Sequence, residues 1–327
     1  MDPLEEEKFK ISYLPTDYSY LQDLPSVKGS LNHSFEDFKN LGFEASRMYE
    51  AYELIKNNLN WETNIVLAFP SNLVSCGLRD YVTQLVKKKL VDVIITTAGG
   101  IEEDLIKTQH PFKHSSTYKD DRDLHQLGIN RTENLYISNT AYLWLERHLK
   151  DLFKKEPWLY DTTPIELVKK LGENIKDQSS YLYWAWKNQV LVVPLCIEDG
   201  AIGDFYVNQS YVRMAKGLEV PCLNSIGNLL QYLQYIYKGN KRTLVICVGG
   251  NAPKHFALNG LIPFKGADVI VYLNNEPTHF GSNMGATPEE AISWGKSKPN
   301  ASLLKVTGDF MFTFSLIFRE VLKLKRT

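Results

Sequence analysis

The stretch ATPEEAISWGKSK, residues 286–298, sets two carboxylates, an indole and two amines close together in the chain. Thr287, Pro288 and the acids Glu289 and Glu290 have the order of a helix opening: a hydroxyl cap, proline first, acids in the first turn. Counted from Pro288, such a helix brings Glu290, Trp294 and Lys296 near one another. Carboxylates beside an indole suit a ligand that is itself a cation, because the acid pairs with an ammonium and the ring face attracts it. The plainer reading is an amphipathic helix that ends at Gly295 and leaves Lys296 in water. Acids recur in TTAGGIEED (96–104), which carries Glu102, Glu103 and Asp104, and in EDGAIGD (198–204), which carries Glu198, Asp199 and Asp204. Each could equally be a solvated loop or helix start, and Asp104 and Glu289 are assigned that way. Small and polar residues fill PSNLVSCG (70–77) and GGNAPKHF (249–256), the second containing His255.

The segments that position these residues are apolar runs. NIVLAF (64–69), VDVIITT (91–97), NLYIS, QVLVVPL, RTLVICVGG, ADVIVYLN and SLLKVTG read as strands. Helical spacing covers 35–59, 78–90, 141–155, 164–175, 225–237 and 309–324. Strands that are apolar throughout and separated by helices predict a parallel sheet covered on both faces. The expected fold is α/β: a doubly wound, mainly parallel Rossmann-like sheet with helices on both faces and an N-terminal helical extension. Residues 1–30 form the extension and 31–327 one domain; the polar segment 108–131 reads as a surface excursion. In such sheets ligands sit beyond the carboxyl ends of the strands, which is where the acids, glycines and His255 fall. Neither a G-x-G-x-x-G fingerprint nor a Walker sequence is present, so no standard dinucleotide or P-loop assignment holds on motif.

Composition narrows the class. The chain has 327 residues, 37 Lys and Arg against 38 Asp and Glu, and a formal net charge of -1, so it lacks the basic excess of a nucleic-acid binder. No apolar run is long enough to span a bilayer, and the acidic start MDPLEEEKFK lacks the apolar core of a signal peptide. Cys76, Cys196, Cys222 and Cys247 are widely spaced, which points to reduced core thiols in the cytoplasm. Without clustered His or Cys, no metal site is expected.

The segments SNLVSCGLRD, VDVIITTAGGIEEDLIK, LGINRTENLYISN, EDGAIGD, PKHFALNG and EEAISWGK, in this order and over nearly the whole chain, resemble the deoxyhypusine synthase family. The resemblance implies NAD-dependent transfer of the aminobutyl group of spermidine to one lysine of the translation initiation factor 5A precursor. It also implies a homotetramer with composite sites between chains. Lys296 then stands at the nucleophile's position, carrying the butylamine after diaminopropane leaves. It can attack only as a neutral amine, so burial or a neighbouring cation must lower its pKa. His255 lies along the polyamine and assists proton transfer. Glu102, Glu103, Asp204 and Glu290 hold the ammonium groups, and Trp294 packs on the methylene chain. Ser71, Asn72, Ser75, Thr97, Ala98, Gly99, Glu103, Asp199, Gly250 and Asp309 match the cofactor contacts.

Departures from the family pattern cluster on one side. After ADVIVYLN, a Thr-Ala pair becomes Asn275-Glu276, and an Asp-Gly-Ser-Asp-Ser run becomes Phe280-Gly281-Ser282-Asn283-Met284. Two acids are thereby lost and a serine at the cofactor becomes Met284, which leaves Ser282 and Asn283 as that loop's substrate contacts. Asn251 replaces a third glycine, and Pro70 a small hydroxyl. An intact half beside an eroded half is the pattern of a regulatory subunit that activates a complete paralogue in a heterotetramer. A self-sufficient synthase is the competing expectation, and an unrelated NAD-binding oxidoreductase a remote one. Either synthase reading expects an obligate oligomer, with aromatic residues of 35–58 in contacts between chains, and Lys296 buried near the interface beside Trp294 and Glu290.

Overall fold

The computed structural model describes residues 26–28, 34–117, 119–279 and 281–327. Six strands make the central sheet: β1 (Thr63–Ala68), β2 (Val93–Thr97), β3 (Leu191–Leu195), β4 (Arg242–Val248), β5 (Ala267–Asn274) and β6 (Ser297–Thr307). All are parallel, in the spatial order β6-β5-β4-β1-β2-β3. The chain winds outward from β1 to β3, returns to the other side of β1 and winds outward again. That reversal makes the doubly wound fold, with its topological switch between β1 and β4. Side chains alternate between two cores. Ile65, Leu67, Ile94, Leu244 and Ile246 face one layer of helices, and Val66, Ala68, Val93, Val245 and Cys247 face the other. Both faces being covered explains why these strands read as unbroken apolar runs.

The helices, in chain order, are α1 (Phe43–Asn57), α2 (Asn72–Ser75), α3 (Arg79–Lys87), α4 (Ala98–Lys107), α5 (Asn139–Lys155), α6 (Pro164–Asn174), α7 (Tyr181–Asn188), α8 (Ala201–Met214), α9 (Ser225–Gly239), α10 (Asn251–Asn259), α11 (Glu290–Ser293) and α12 (Phe310–Val321), besides a short Asp121–Gln126 helix. Several expectations need correction. The helix expected over 35–59 is broken at Gly42, whose φ of +81° suits glycine, into a 3-10 turn Phe35–Asn40 and α1. Within the chain, Phe35 meets Tyr52 edge-on at 5.6 Å between centroids, and Phe43 is 95% exposed. The strand read in NLYIS exists, as Leu135–Ser138, but in a separate antiparallel sheet with Lys113–His114 and Ile129–Thr132. The polar excursion therefore carries a short helix, the Lys113–His114 strand and part of Ile129–Thr132. Of the four cysteines, only Cys247 is a buried core thiol; Cys76 is half-buried, and Cys196 and Cys222 are exposed. Residues 1–25 and Phe280 lie outside the described residues, and with them most of the expected extension. Among the described residues, no helix is long and apolar enough to cross a membrane.

Candidate functional site

Loops beyond β1, β2 and β3 form an acid side. Thr97 is the extended residue before α4, and Ala98 and Gly99 are that helix's first residues. A Cβ on Gly99 would lie 2.8 Å from the Ser71 Cβ, so the two loops touch only because glycine is there. Ser75, on α2, donates its hydroxyl to Glu103 on α4. Lys107, one turn further along α4, donates to the carbonyls of Val74 and Ser75 at 2.6 Å each and of Cys76 at 3.2 Å. The two helices are thus locked at the residues that carry the polar groups. Burial pushes the Glu103 carboxyl up to about 7, against the opposing pull of the Ser75 hydroxyl and the Lys107 ammonium. Glu102 is also raised by burial, opposed by its hydrogen bonds to the backbone of Ile202 and Ala201, with Asp204 and Asp199 adding repulsion. Four carboxylates therefore share one neighbourhood. Tyr142, on α5, adds a ring that the sequence reading missed. Its hydroxyl is pushed up to about 12, first by burial and then by Glu103 and Glu102.

Asp104 does not belong with these acids, and its assignment to a solvated helix start is wrong. It is fully buried, pairs with Arg79 at 2.6 Å and accepts from the Ser180 hydroxyl and the backbone N–H groups of Tyr181 and Leu182. Its work is to hold the start of α7. Asp309 likewise caps α12 by accepting from the Met311 N–H at 2.8 Å.

Loops beyond β4 and β5, with α11, form a lysine side. The expected helix from Pro288 is shorter than the sequence suggested: Thr287 to Glu289 form a turn, and α11 is one turn long. Gly295, with φ +68°, ends it, its N–H bonding to Ile292 O while the Lys296 N–H reaches back to Ala291 O at 2.9 Å. This paired closure, which needs a left-handed residue, accounts for the glycine immediately before the lysine. The Lys296 carbonyl in turn accepts from the Ala267 N–H at 2.9 Å, fixing the residue where β6 begins. Lys296 Nζ lies 5.4 Å from the Trp294 ring centroid. In the single chain Lys296 is half-buried and Trp294 is 63% exposed, so full burial does not come from this chain alone.

A small cavity joins Lys254, His255, Tyr272, Asn283, Glu290, Trp294 and Lys296. Its volume of about 40 Å³ is on the order of one water's share of liquid, about 30 Å³, and far from a polyamine's need. His255 Nδ1 lies 2.8 Å from the Asn259 side-chain amide nitrogen, a donor, so Nδ1 accepts and the proton sits on Nε2. Burial first, then the cations Lys296 and Lys254, hold the imidazole below its usual range. Lys254, overlooked in the sequence, is buried with its Nζ 4.2 Å from the Tyr272 ring centroid and 2.6 Å from Asn283 O. Burial first, with Lys305 and Lys296 among the lesser causes, lowers its own pKa. Glu102, Glu103 and Asp204 do not line this cavity. A single chain does not join the two sets in one cavity: the acids follow the carboxyl ends of β2 and β3, whereas Lys296 precedes the amino end of β6.

This chain is similar to a well-defined group of proteins. The family model for deoxyhypusine synthase matches residues 34–321. The deoxyhypusine synthase of Musa acuminata is 35% identical over 316 residues, covering 86% of this chain and 82% of the relative. That of Nicotiana tabacum is 32% identical over 335 residues, covering 89% and 86%. Homospermidine synthase 2 of Senecio vernalis is 34% identical over 283 residues, covering 83% and 74%. A solved Entamoeba histolytica chain, provisionally named a deoxyhypusine synthase, superposes with a TM-score of 0.62 at 22% identity, covering 92% of this chain and 99% of that one. The last supports the fold.

Proposed function

The chain belongs to the deoxyhypusine synthase family, and on that premise we propose that it lends its acid side to a complete paralogue in a mixed oligomer. The reaction is transfer of the 4-aminobutyl group of spermidine to a lysine of the translation initiation factor 5A precursor. One observation carries the reading: the acid side keeps its hydroxyls and carboxylates in a packed arrangement, while the lysine-side loop presents Asn283 and Met284. Bound NAD supplies a hydride acceptor and donor. Its fit divides by the chemistry of what meets each glycine: Gly99 lies against the Ser71 hydroxyl side chain and near the Glu103 carboxylate, whereas Gly250 lies against the apolar Met284.

In this reading Glu102, Glu103 and Asp204 pair with the ammonium groups of the polyamine, and Tyr142 lies beside them. Ser71, Asn72, Ser75, Thr97, Ala98, Gly99, Glu103 and Asp199 hold the cofactor on the acid side; Gly250 and Asp309 belong to its lysine-side contacts. The paralogue contributes the lysine that carries the aminobutyl group. A second reading is a self-sufficient homotetramer, favoured by the cavity that still assembles Lys296, Trp294, His255 and Glu290. There, Lys296 Nζ carries the aminobutyl group, His255 Nε2 donates or retrieves the proton and Trp294 covers the methylene chain. Spermidine-dependent aminobutyl transfer by the purified chain, with NAD and the precursor, decides between them. Full activity alone, destroyed by Lys296→Ala, returns the chain to the second reading.

A further inference from the structure

Gly250 follows β4, at the topological switch where a phosphate of a bound dinucleotide would come closest to backbone. The space in front of it is filled from within the chain. A Cβ on Gly250 would lie 2.6 Å from the Cγ and 2.7 Å from the Cβ of Met284. The glycine therefore admits a close approach, and the group that approaches is an apolar side chain with no donor to offer an anion.

We infer that Met284 plugs the switch-point crevice and that Lys254 and Lys305 hold the plug in place, making Met284 the residue that sets dinucleotide affinity on this side. This rests on the proposed function, which supplies the dinucleotide. The holding contacts are specific. Lys254 Nζ donates to Asn283 O at 2.6 Å, and Lys305 Nζ to Gly285 O at 3.0 Å and Glu276 O at 2.8 Å. The Ser282 hydroxyl accepts from the Met284 N–H at 3.1 Å, and the Gly285 N–H bonds to Ser282 O. Both lysines are buried, and among the described residues neither forms an ion pair with a carboxylate. The loop carbonyls are their hydrogen-bond acceptors. Moving the loop aside leaves two buried ammonium groups short of partners, a costly outcome that keeps the crevice closed. Loss of a hydroxyl contact alone would weaken a ligand; a seated thioether excludes it.

The test compares the parent homomer with Met284→Ser and with the bulk-preserving Met284→Leu. Calorimetric titration with NAD should show the serine variant binding at least about tenfold tighter, and the leucine variant should show no gain because it fills the same space. Hydrogen exchange at residues 249–251 reads the cover without any ligand and should quicken by about tenfold in the serine variant. Met284→Ala repeats both measurements if the serine variant folds poorly. Unchanged exchange, or faster exchange with no gain for NAD, overturns the inference. If NAD then still binds the mixed oligomer, the proposed function stands without the plug; if it binds neither, both fall.

Discussion

The acid side follows the carboxyl ends of β1 to β3, and the lysine side combines the loops after β4 and β5 with the turn before β6; what each holds in place differs. On the acid side, polar groups hold one another: Ser75 bonds Glu103, and Lys107 clamps the α2 carbonyls. On the lysine side, Lys254 and Lys305 likewise clamp backbone carbonyls, but the loop they hold covers a glycine with the apolar Met284. In the proposed reading one region is preorganised for a charged ligand, whereas the other uses two buried lysines to hold a loop over Gly250. On that same reading, a half-site is lost by changing what the scaffold grips while Lys296 and His255 remain in place.

The comparison breaks most decisively in the mixed oligomer. Two lost polar partners at about 1–3 kcal/mol each predict ligand binding weaker by roughly a hundredfold or more in the homomer, and a gain of that order on co-expression with a complete paralogue. In the mixed enzyme Lys296→Ala should cost almost nothing, while Asn72→Ala or Glu103→Ala should abolish the gain. Initial rates of aminobutyl transfer at fixed spermidine check both. A strong effect of Lys296→Ala there would mean that the lysine side works.

Two acids that look alike in sequence separate next. Asp104→Ala strands the buried Arg79 and uncaps α7, and should cost about 3–5 kcal/mol in urea unfolding. Asp204 is exposed on α8, so Asp204→Asn should stay within about 0.5 kcal/mol while weakening spermidine binding.

That pair marks where the sequence was legible. Strands whose residues are apolar on both faces announced themselves, and ADVIVYLN was read to its observed bounds as β5. Turn chemistry carried less. Gly42 splits a helix that periodicity joined, and Thr287 and Pro288 look like a cap but lead a turn. The helix α8 went unread because its apolar residues, among them Ile202, Phe205, Val207 and Tyr211, spread around its circumference without a clear stripe. Asp104 was misread because its partners, Arg79 and Ser180, are distant in sequence. The candidate site followed from strand ends plus the family resemblance; Tyr142 and Lys254 carried no local signal, since each matters through tertiary neighbours.

Glu103 sharpens the contrast through pH. Its pKa rises from 4.5 in the unfolded chain to about 7 in the fold, so the folded state holds a proton that the unfolded state has lost. Stability contributed by this group is full below about 4.5 and is lost as pH rises to about 7. Glu103→Gln should therefore stabilise the protein by about 1–3 kcal/mol at pH 8, a difference that shrinks at pH 4. Ligand binding runs the other way: the ionised carboxylate is the form that pairs with an ammonium, so spermidine affinity should fall as pH drops below about 7. Urea unfolding and spermidine titration at both pH values read the two effects. No stability difference between the variants at pH 8 would remove burial as the cause.

The smallest effect belongs to Gly295, and it tests whether the lysine side is still a positioned site. The glycine sits at φ +68° with nothing within 4 Å of its would-be Cβ, so Gly295→Ala meets no steric neighbour. Its cost is the backbone's alone, about 1 kcal/mol for a left-handed residue. The closure it makes sends the Lys296 N–H to Ala291, and the next link, Lys296 O to Ala267, ties that turn to β5. Strain at residue 295 is relieved most easily by rotating the adjoining peptide, which swings Lys296 relative to Trp294. Borohydride trapping in the presence of spermidine and NAD, wherever the homomer shows activity, should mark Lys296 in the parent and mark it less in Gly295→Ala, while the unfolding midpoint barely moves. Equal labelling in both would show that β6, through the Ala267 bond, places the lysine without help from the turn.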